Sequence, residues 1–357
     1  MADHWVPKCY LRNFTIGDDM KSVHVYERGK DPIPVGIHNV AAENNLYTFT
    51  NKETGEETRE IESLFSQLEG AATPALNKIT EHHNLSVLTG SEHGTLLQFL
   101  AFLATRGPTF SETQKNLHKE GFKTFMQAHA ENPDILRSQS EKFGIVFNSE
   151  KEFEEMRKSL LNKDYDFELT GGKAGFFKNA AETAQELADI FEKEKGSYLL
   201  VSNSERVFIT SDNPVIIQIP PEVPQHLASG YKYGTIIVPI SPKVCYVLRS
   251  RPLKNEVITI RDSHVDYINN SIMKSARRQV YSNLVSRSIK QRYDLYPAGG
   301  DSKISSKRIK HTPYTFTFGP PKDKELPVLD RYSMSWEEID ANIQKFKKKE
   351  SQGSKAC

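Results

Sequence analysis

The chain predicts an α+β fold, with an antiparallel sheet drawn from an amino-terminal hairpin and residues 196–318, and a helical layer from residues 58–195. Three observations lead there. Short β-rich runs punctuated by Pro, Gly and Asn occur towards both ends of the chain. The middle carries apolar residues at three- and four-residue steps. With 357 residues, 37% of them hydrophobic, the chain can bury a sizeable core.

Residues 22–50 alternate and turn like a hairpin: Val23, Val25 and Tyr26 form the first strand, Gly29 to Pro34 the loop, and Leu46-Tyr47-Thr48-Phe49 the second extended segment. From Glu60 the period becomes helical, and Ile61, Leu64, Phe65, Leu68, Ala72, Ala75, Leu76 and Ile79 form one apolar stripe. Pro74 inside it predicts a kink or break near Thr73. Residues 91–106 are apolar almost all round, which marks the buried centre of the helical layer. Further helices are expected at 109–130, 149–163 and 178–195, the last with Ala180, Ala184, Leu187, Ala188 and Phe191 on one face.

At Gly196 the pattern turns to short strands, at 198–201, 207–210, 215–219, 235–240, 244–248 and 257–260. Ser263 with Asp266 three residues on is a capping-box pattern, opening a helix striped by Val265, Ile268, Ile272, Ala276 and Val280. A final strand at 314–318 precedes Gly319-Pro320-Pro321, and Ser335 with Glu338 caps a terminal helix that ends in a basic tail. The expected organisation is one α+β domain over 1–330, comprising the 1–50 hairpin, the 58–195 helical block and the 196–318 β-rich half. A carboxy-terminal helix and tail occupy 331–357.

The longest nearly apolar run, Leu96 to Ala104, is about half a membrane span, and no secretory signal pattern opens the chain, so a cytoplasmic protein without a membrane partner is expected. Cys9, Cys245 and Cys357 are far apart and suggest neither a disulfide framework nor a clustered zinc site. The net charge of +1 hides an uneven map: residues 271–311 hold ten Lys and Arg against Asp294 and Asp301, a local balance of +8. With Tyr281, Tyr293 and Tyr296 interleaved, that stretch has what single-stranded nucleic acid asks for, charges for phosphates and rings for bases. A solvated helix face and loop would carry the same residues.

Residues 4–14, HWVPKCYLRNF, place a histidine, a proline, three aromatics and a leucine in eleven positions. Their His-x-x-Pro-x-x-Tyr-Leu-x-x-Phe pattern, together with Phe208-Ile209-Thr210-Ser211-Asp212-Asn213-Pro214, resembles a microbial family, the domain of unknown function 4238. Further echoes are Asn39 to Tyr47, the helix bearing Glu69, Arg106, Val238 to Pro242 and Asn269, so the resemblance covers nearly the whole chain. Lys8 departs from it, since many relatives carry glutamine there. The resemblance implies no particular activity.

The residues themselves suggest a polar site. Ser211-Asp212-Asn213-Pro214 has tight-turn chemistry, but it also follows a strand end, from which Asp212 can act as a base or metal ligand with Ser211 and Asn213 orienting it. Glu69 falls at the edge of its helix stripe, half buried, and there needs a partner such as Arg106 or a raised pKa. Asn269 lies on an apolar face and must be hydrogen-bonded. His4 titrates near neutrality and is the natural proton shuttle, with Trp5, Val6, Tyr10, Leu11 and Phe14 supplying the apolar area to pin the amino terminus.

The expectation is a nucleic-acid-directed hydrolase, RNase-like, of the toxin or antiviral defence kind. His4, Glu69, Asp212 and Arg106 are its catalytic candidates; Ser211, Asn213, Asn269, Arg277, Arg278 and Tyr281 are its binding candidates. The sequence assigns no cofactor, leaving a divalent metal such as magnesium open, and it leaves homo-oligomerisation open too. The alternative is a non-enzymatic module whose polar cluster is structural or binds a small anionic ligand.

Overall fold

A computed structural model describes residues 2–50, 57–142, 144–165, 172–219, 230–250, 253 and 255–297. The strand, linker and helix expected beyond residue 313 lie outside the described residues. The chain divides into two compact units, one made by residues up to Gly107 and from Phe177 onward, the other by Pro108–Phe176.

The first unit opens with β1 (Ala2–His4), the short α1 (Lys8–Leu11) and a 3-10 turn (Arg12–Phe14). Pro7, with φ −60°, presets the entry into α1, where its missing N–H costs nothing. Val6, Tyr10, Leu11 and Phe14 are all completely buried. At roughly 1.5–3 kcal/mol for each such side chain, the segment is pinned to the core as expected. The chain continues through β2 (Ser22–Tyr26), β3 (Ile33–Gly36), β4 (Ala42–Asn44), β5 (Phe49–Thr50) and β6 (Glu57–Thr58). The hairpin exists, but its second strand is β3, which begins inside the expected loop, and residues 45–47 form a turn. Val25 pairs with Ile33 and Ser22 with Gly36. Pro34 is accommodated because β3 is an edge strand.

Two helices follow, α2 (Glu60–His82) and α3 (Gly90–Thr105). α2 does not break at Pro74, which sits inside the helix on an exposed face, where water can satisfy the Gly70 carbonyl it leaves unbonded. α3 starts at a complete capping box: the Thr89 side chain accepts from the Glu92 N–H, and Glu92 accepts from the Thr89 N–H.

The second unit holds α4 (Pro108–Glu131), α5 (Pro133–Lys142) and α6 (Glu150–Asn162), around a small core of Ala130, Leu136, Phe153 and Leu160. α5, flanked by Pro133 and Gly144, was not anticipated from the apolar period. α7 (Gly172–Glu194) then returns to the first unit.

The β-rich half contains β7 (Gly196–Ser202), β8 (Thr210–Ser211), β9 (Ile216–Gln218), α8 (Gly230–Tyr233), β10 (Thr235–Pro239), β11 (Val244–Arg249) and β12 (Val257–Ile260). It closes with α9 (Asp262–Ser275), β13 (Val280–Ser282) and α10 (Arg287–Asp294). A five-stranded sheet runs β12-β7-β11-β10-β9, antiparallel except for the parallel pair β12/β7. A four-stranded antiparallel sheet, β3-β2-β13-β8, joins the amino-terminal hairpin to the β-rich half. The fold is α+β, as the strand grouping implied.

Alternation along the large sheet divides the core. Ile236, Val238, Tyr246 and Leu248 pack with the amino-terminal segment, α2 and α3. Ile237, Cys245, Val247 and Leu200 pack with α9 and α10 on the other face. The Ser263 capping box does not form: α9 is preceded by Arg261 with no side-chain cap, and Asp266 instead pairs with Arg206 and Arg292. The helix also ends before Val280, which belongs to β13.

Candidate functional site

The two distinctive motifs are bonded to each other. Trp5 Nε1 donates to the Asp212 carbonyl at 2.9 Å, and Tyr10 Oη lies 2.8 Å from Thr210 Oγ1 and donates to the Pro239 carbonyl at 2.5 Å. Asn13 adds a bond to the Ile240 carbonyl at 3.1 Å.

The Asp212 carboxylate is 6% exposed and faces backbone: Oδ1 accepts from Arg277 N at 2.9 Å, and Oδ2 accepts from Arg278 N at 2.8 Å and Gln279 N at 3.0 Å. Burial pushes its carboxyl up to about 6, against the pull of these three donors towards the ionised form. The capture of these N–H groups turns the chain out of α9 and into β13. Ser211 Oγ accepts from Asn213 N at 3.1 Å, and Asn213 Nδ2 donates to the Ser275 carbonyl at 3.1 Å. Asn269, on α9, accepts from Ile209 N at 3.1 Å and donates to the Val207 carbonyl at 2.8 Å, tying helix to strand. Both of its bonds go to buried backbone, the arrangement a buried amide requires.

Around the His4 backbone lies a second cluster. Arg106, at the end of α3 and 4% exposed, donates to Glu69 Oε1 at 2.9 Å and to the His4 carbonyl, and its guanidinium stacks 4.7 Å from the centre of the Phe65 ring. The Glu69 side chain is 25% exposed, half buried and paired as its place on the stripe demanded. The Tyr47 hydroxyl reaches the His4 carbonyl at 3.4 Å, and burial pushes that phenol up to about 12. Asp3, on the opposite side of β1 from His4, binds Arg59 Nη2 at 2.6 Å and Tyr47 N at 3.0 Å.

Glu62 stands among these groups, and burial raises its carboxyl pKa, reinforced by the negative charge of Asp3. Seven residues separate Glu62 from Glu69, two helical turns, so α2 presents both on one face. That spacing was the available signal for Glu62; Asp3, Arg59 and Tyr47 announce themselves only through the folded chain. Cys9 lies against Thr73, its thiol pushed up to about 11 by burial, with Glu69 adding to the shift.

The His4 ring lies against the Ile37 and His38 backbone, 8% exposed, with its pKa lowered by burial and by the Lys8 charge. Its Nε2 is buried with no hydrogen-bond partner among the described residues. No hydrogen bond joins the His4 ring to Glu69 or Asp212 among the described residues; the connection runs through backbone, from Arg106 to the His4 carbonyl and from Trp5 to Asp212. The structure thus gathers His4, Glu69 and Arg106 and sets the Asp212 carboxylate apart.

The basic stretch divides likewise. Arg277 and Arg278 are exposed, Arg278 within 3.3 Å of Glu27, whereas Tyr281 and Tyr293 are fully buried, Tyr281 donating to Gln279 Oε1 at 3.0 Å. The described part therefore offers guanidinium groups without those two rings as stacking platforms. Lys303, Lys307, Arg308 and Lys310 lie outside the described residues. Among the described residues, no group of three or more His, Cys, Asp or Glu is placed to hold a metal ion, and no helix is long and apolar enough to cross a membrane.

The joined motifs and the Glu69 and Arg106 pair fall within residues 3–284, over which the chain matches the family described as Protein of unknown function (DUF4238). The chain belongs to the DUF4238 family. No curated protein and no solved structure matches it. In this DUF4238 chain the amino-terminal motif and the Ser-Asp-Asn-Pro motif meet at one place in the fold, joined at the Trp5 and Asp212 contact.

Proposed function

We propose that this DUF4238 protein is a cytoplasmic acid–base hydrolase of phosphodiesters, acting on RNA as a toxin-like or antiviral defence effector, with its centre at Glu62, Glu69, Arg59, Arg106 and His4. One observation carries the reading: burial and the charge of Asp3 raise the Glu62 carboxyl pKa, while Glu69, two turns further along the same helix face, is paired with Arg106 at 2.9 Å, so two carboxylates on one face stand in different environments. Glu62 then serves as general acid. Water attacks phosphorus, the bond to the leaving oxygen breaks, and that oxygen takes the Glu62 proton while Glu69 accepts the proton of water. Arg59 and Arg106 offset the charge that develops on phosphate, and the His4 carbonyl holds the Arg106 guanidinium in place. Asp212, Ser211, Asn213 and Asn269 act as positioning residues. The exposed Arg277 and Arg278, held by the Asp212 carboxylate next to the Trp5 contact, supply phosphate affinity.

The test is gel electrophoresis of total RNA, transfer RNA, single-stranded DNA and duplex DNA incubated with the parent protein and with Glu62→Gln, with magnesium or EDTA. RNA cleavage reduced at least about 100-fold in Glu62→Gln is the expected result. Cleavage unchanged in that variant sinks the assignment of the acid.

A second reading, a non-enzymatic module in which the motifs only staple the amino terminus to the sheet, is favoured by one observation: both Asp212 oxygens are committed to backbone N–H groups. It predicts no cleavage of any substrate by the parent, with His4→Ala and Asp212→Ala merely melting earlier.

A further inference from the structure

Outside the Glu62 cluster, α3 and the large sheet bring three proton-bearing side chains together. His93 lies in the first turn of α3, Ser197 near the start of β7 and Tyr246 in the middle of β11. The strand register sets Leu248 opposite Ser197 and Leu199 opposite Tyr246, so the two hydroxyls are diagonal neighbours on the sheet face that packs with α3. His93 Nε2 lies 3.0 Å from Ser197 Oγ and 2.9 Å from Tyr246 Oη, and the two hydroxyls also hydrogen-bond to each other. A neutral imidazole nitrogen engages one hydrogen, so two hydroxyls at one nitrogen exceed what a structural histidine requires.

Tyr246 is completely buried, whereas Ser197 and His93 are half-buried. Beside His93 on α3 stand Gly90 and Gly94, and a Cβ added to either would meet no atom within 4 Å, so the flank of the helix next to the imidazole is open among the described residues. Burial lowers the His93 pKa, and the carboxylates of Glu192, in α7, and Glu256, just before β12, pull it back up. Negative charge there favours an imidazolium when one forms and repels an anionic substrate.

We propose that Ser197 and His93 form a nucleophile and base pair that cleaves a small, uncharged carboxylic ester. With the ring proton on Nδ1, Ser197 Oγ–H donates to Nε2 and the Tyr246 hydroxyl turns to Ser197 Oγ. Oγ attacks the ester carbonyl carbon and its proton passes to Nε2. The bond from that carbon to the alcohol oxygen then breaks, and the departing oxygen takes the proton from Nε2. Water attacks the acyl-serine carbonyl, gives a proton to Nε2, and the Ser197 oxygen leaves and takes that proton back, releasing the carboxylic acid. Glu192 and Glu256 stabilise the imidazolium in both halves of the cycle. The same two carboxylates repel a phosphodiester, so this activity goes beyond the one assigned to the Glu62 cluster and does not depend on it.

The test treats the full chain with a fluorophosphonate, which phosphonylates an activated serine, and with p-nitrophenyl acetate. Tandem mass spectrometry is expected to place the phosphonyl group on Ser197 rather than on the nearby Ser202 or Ser204. Ser197→Ala loses that adduct and the release of p-nitrophenolate above the buffer rate, and His93→Gln lowers both rates at least about 100-fold. Because either variant can fail to fold, the parent supplies a second measurement: the folded chain is labelled at Ser197 and the chain unfolded in urea is not. No adduct at Ser197 in the folded parent, an adduct formed equally fast in urea, or unchanged rates in a folded His93→Gln overturns the proposal.

Discussion

Asp212 shows how two influences on one side chain are weighed. Three backbone donors favour its ionised form, burial opposes them, and the carboxyl comes out near 6 rather than at its ordinary 3.8. A carboxyl whose folded pKa is raised binds its proton more tightly in the native state, so stability falls as pH rises from about 4 to about 6 and is level above that. The loss across this window is on the order of 2–3 kcal/mol. Asp212→Asn removes that slope and leaves one of the three donors unpaired. Urea unfolding at pH 4.5 and pH 7 is expected to show the parent losing more stability than the variant between the two, with the variant the weaker at pH 4.5; parallel losses contradict the raised pKa. Arg106 poses the same question for an ion pair, because its truncation leaves Glu69 without that cation and takes from the His4 carbonyl one of its two donors, the other being the Tyr47 hydroxyl. Arg106→Met is expected to cost about 3 kcal/mol or more in denaturant titrations.

At the level of elements, the capping box at Thr89 is the clearest local determinant of a helix start, and Thr89→Ala is expected to destabilise by about 1 kcal/mol without altering the folded spectrum. Long helices and central strands were legible from period alone because burial imposes it. α2, α3 and the β7, β10 and β11 strands lie within a few residues of their expected positions. What misled was any place where a distant group overrides the local pattern. The stripe continues to Val280, yet the Asp212 carboxylate captures the three preceding N–H groups and turns the helix into a strand. Ser263 and Asp266 have capping spacing, yet Asp266 is taken by Arg206 and Arg292. Of the candidate site, the pairing of Glu69 with Arg106 was readable from helix geometry and the cost of burying a charge. Asp3, Arg59 and Tyr47 were not, because they join the cluster through the return of β1 against β4.

Across the whole molecule, the two units differ in the core that each closes. Among the described residues the second unit's cluster has four buried side chains, Ala130, Leu136, Phe153 and Leu160, whereas the first unit's sheet is packed on both faces. Hydrogen exchange followed by mass spectrometry is therefore expected to label 108–165 faster than β7, β10 and β11; equal protection contradicts a separately opening unit. The first unit also carries the central claim, that α2 presents Glu62, its pKa raised by burial, beside the Arg106-paired Glu69 to do acid–base work on RNA. The most direct measurement is the pH dependence of RNA cleavage by the parent and Glu62→Gln. A rate that falls as pH rises through the raised pKa of Glu62, with that limb absent from the residual rate of Glu62→Gln, is the expected result; no cleavage by a folded parent at any pH, or the same profile in both proteins, contradicts the account.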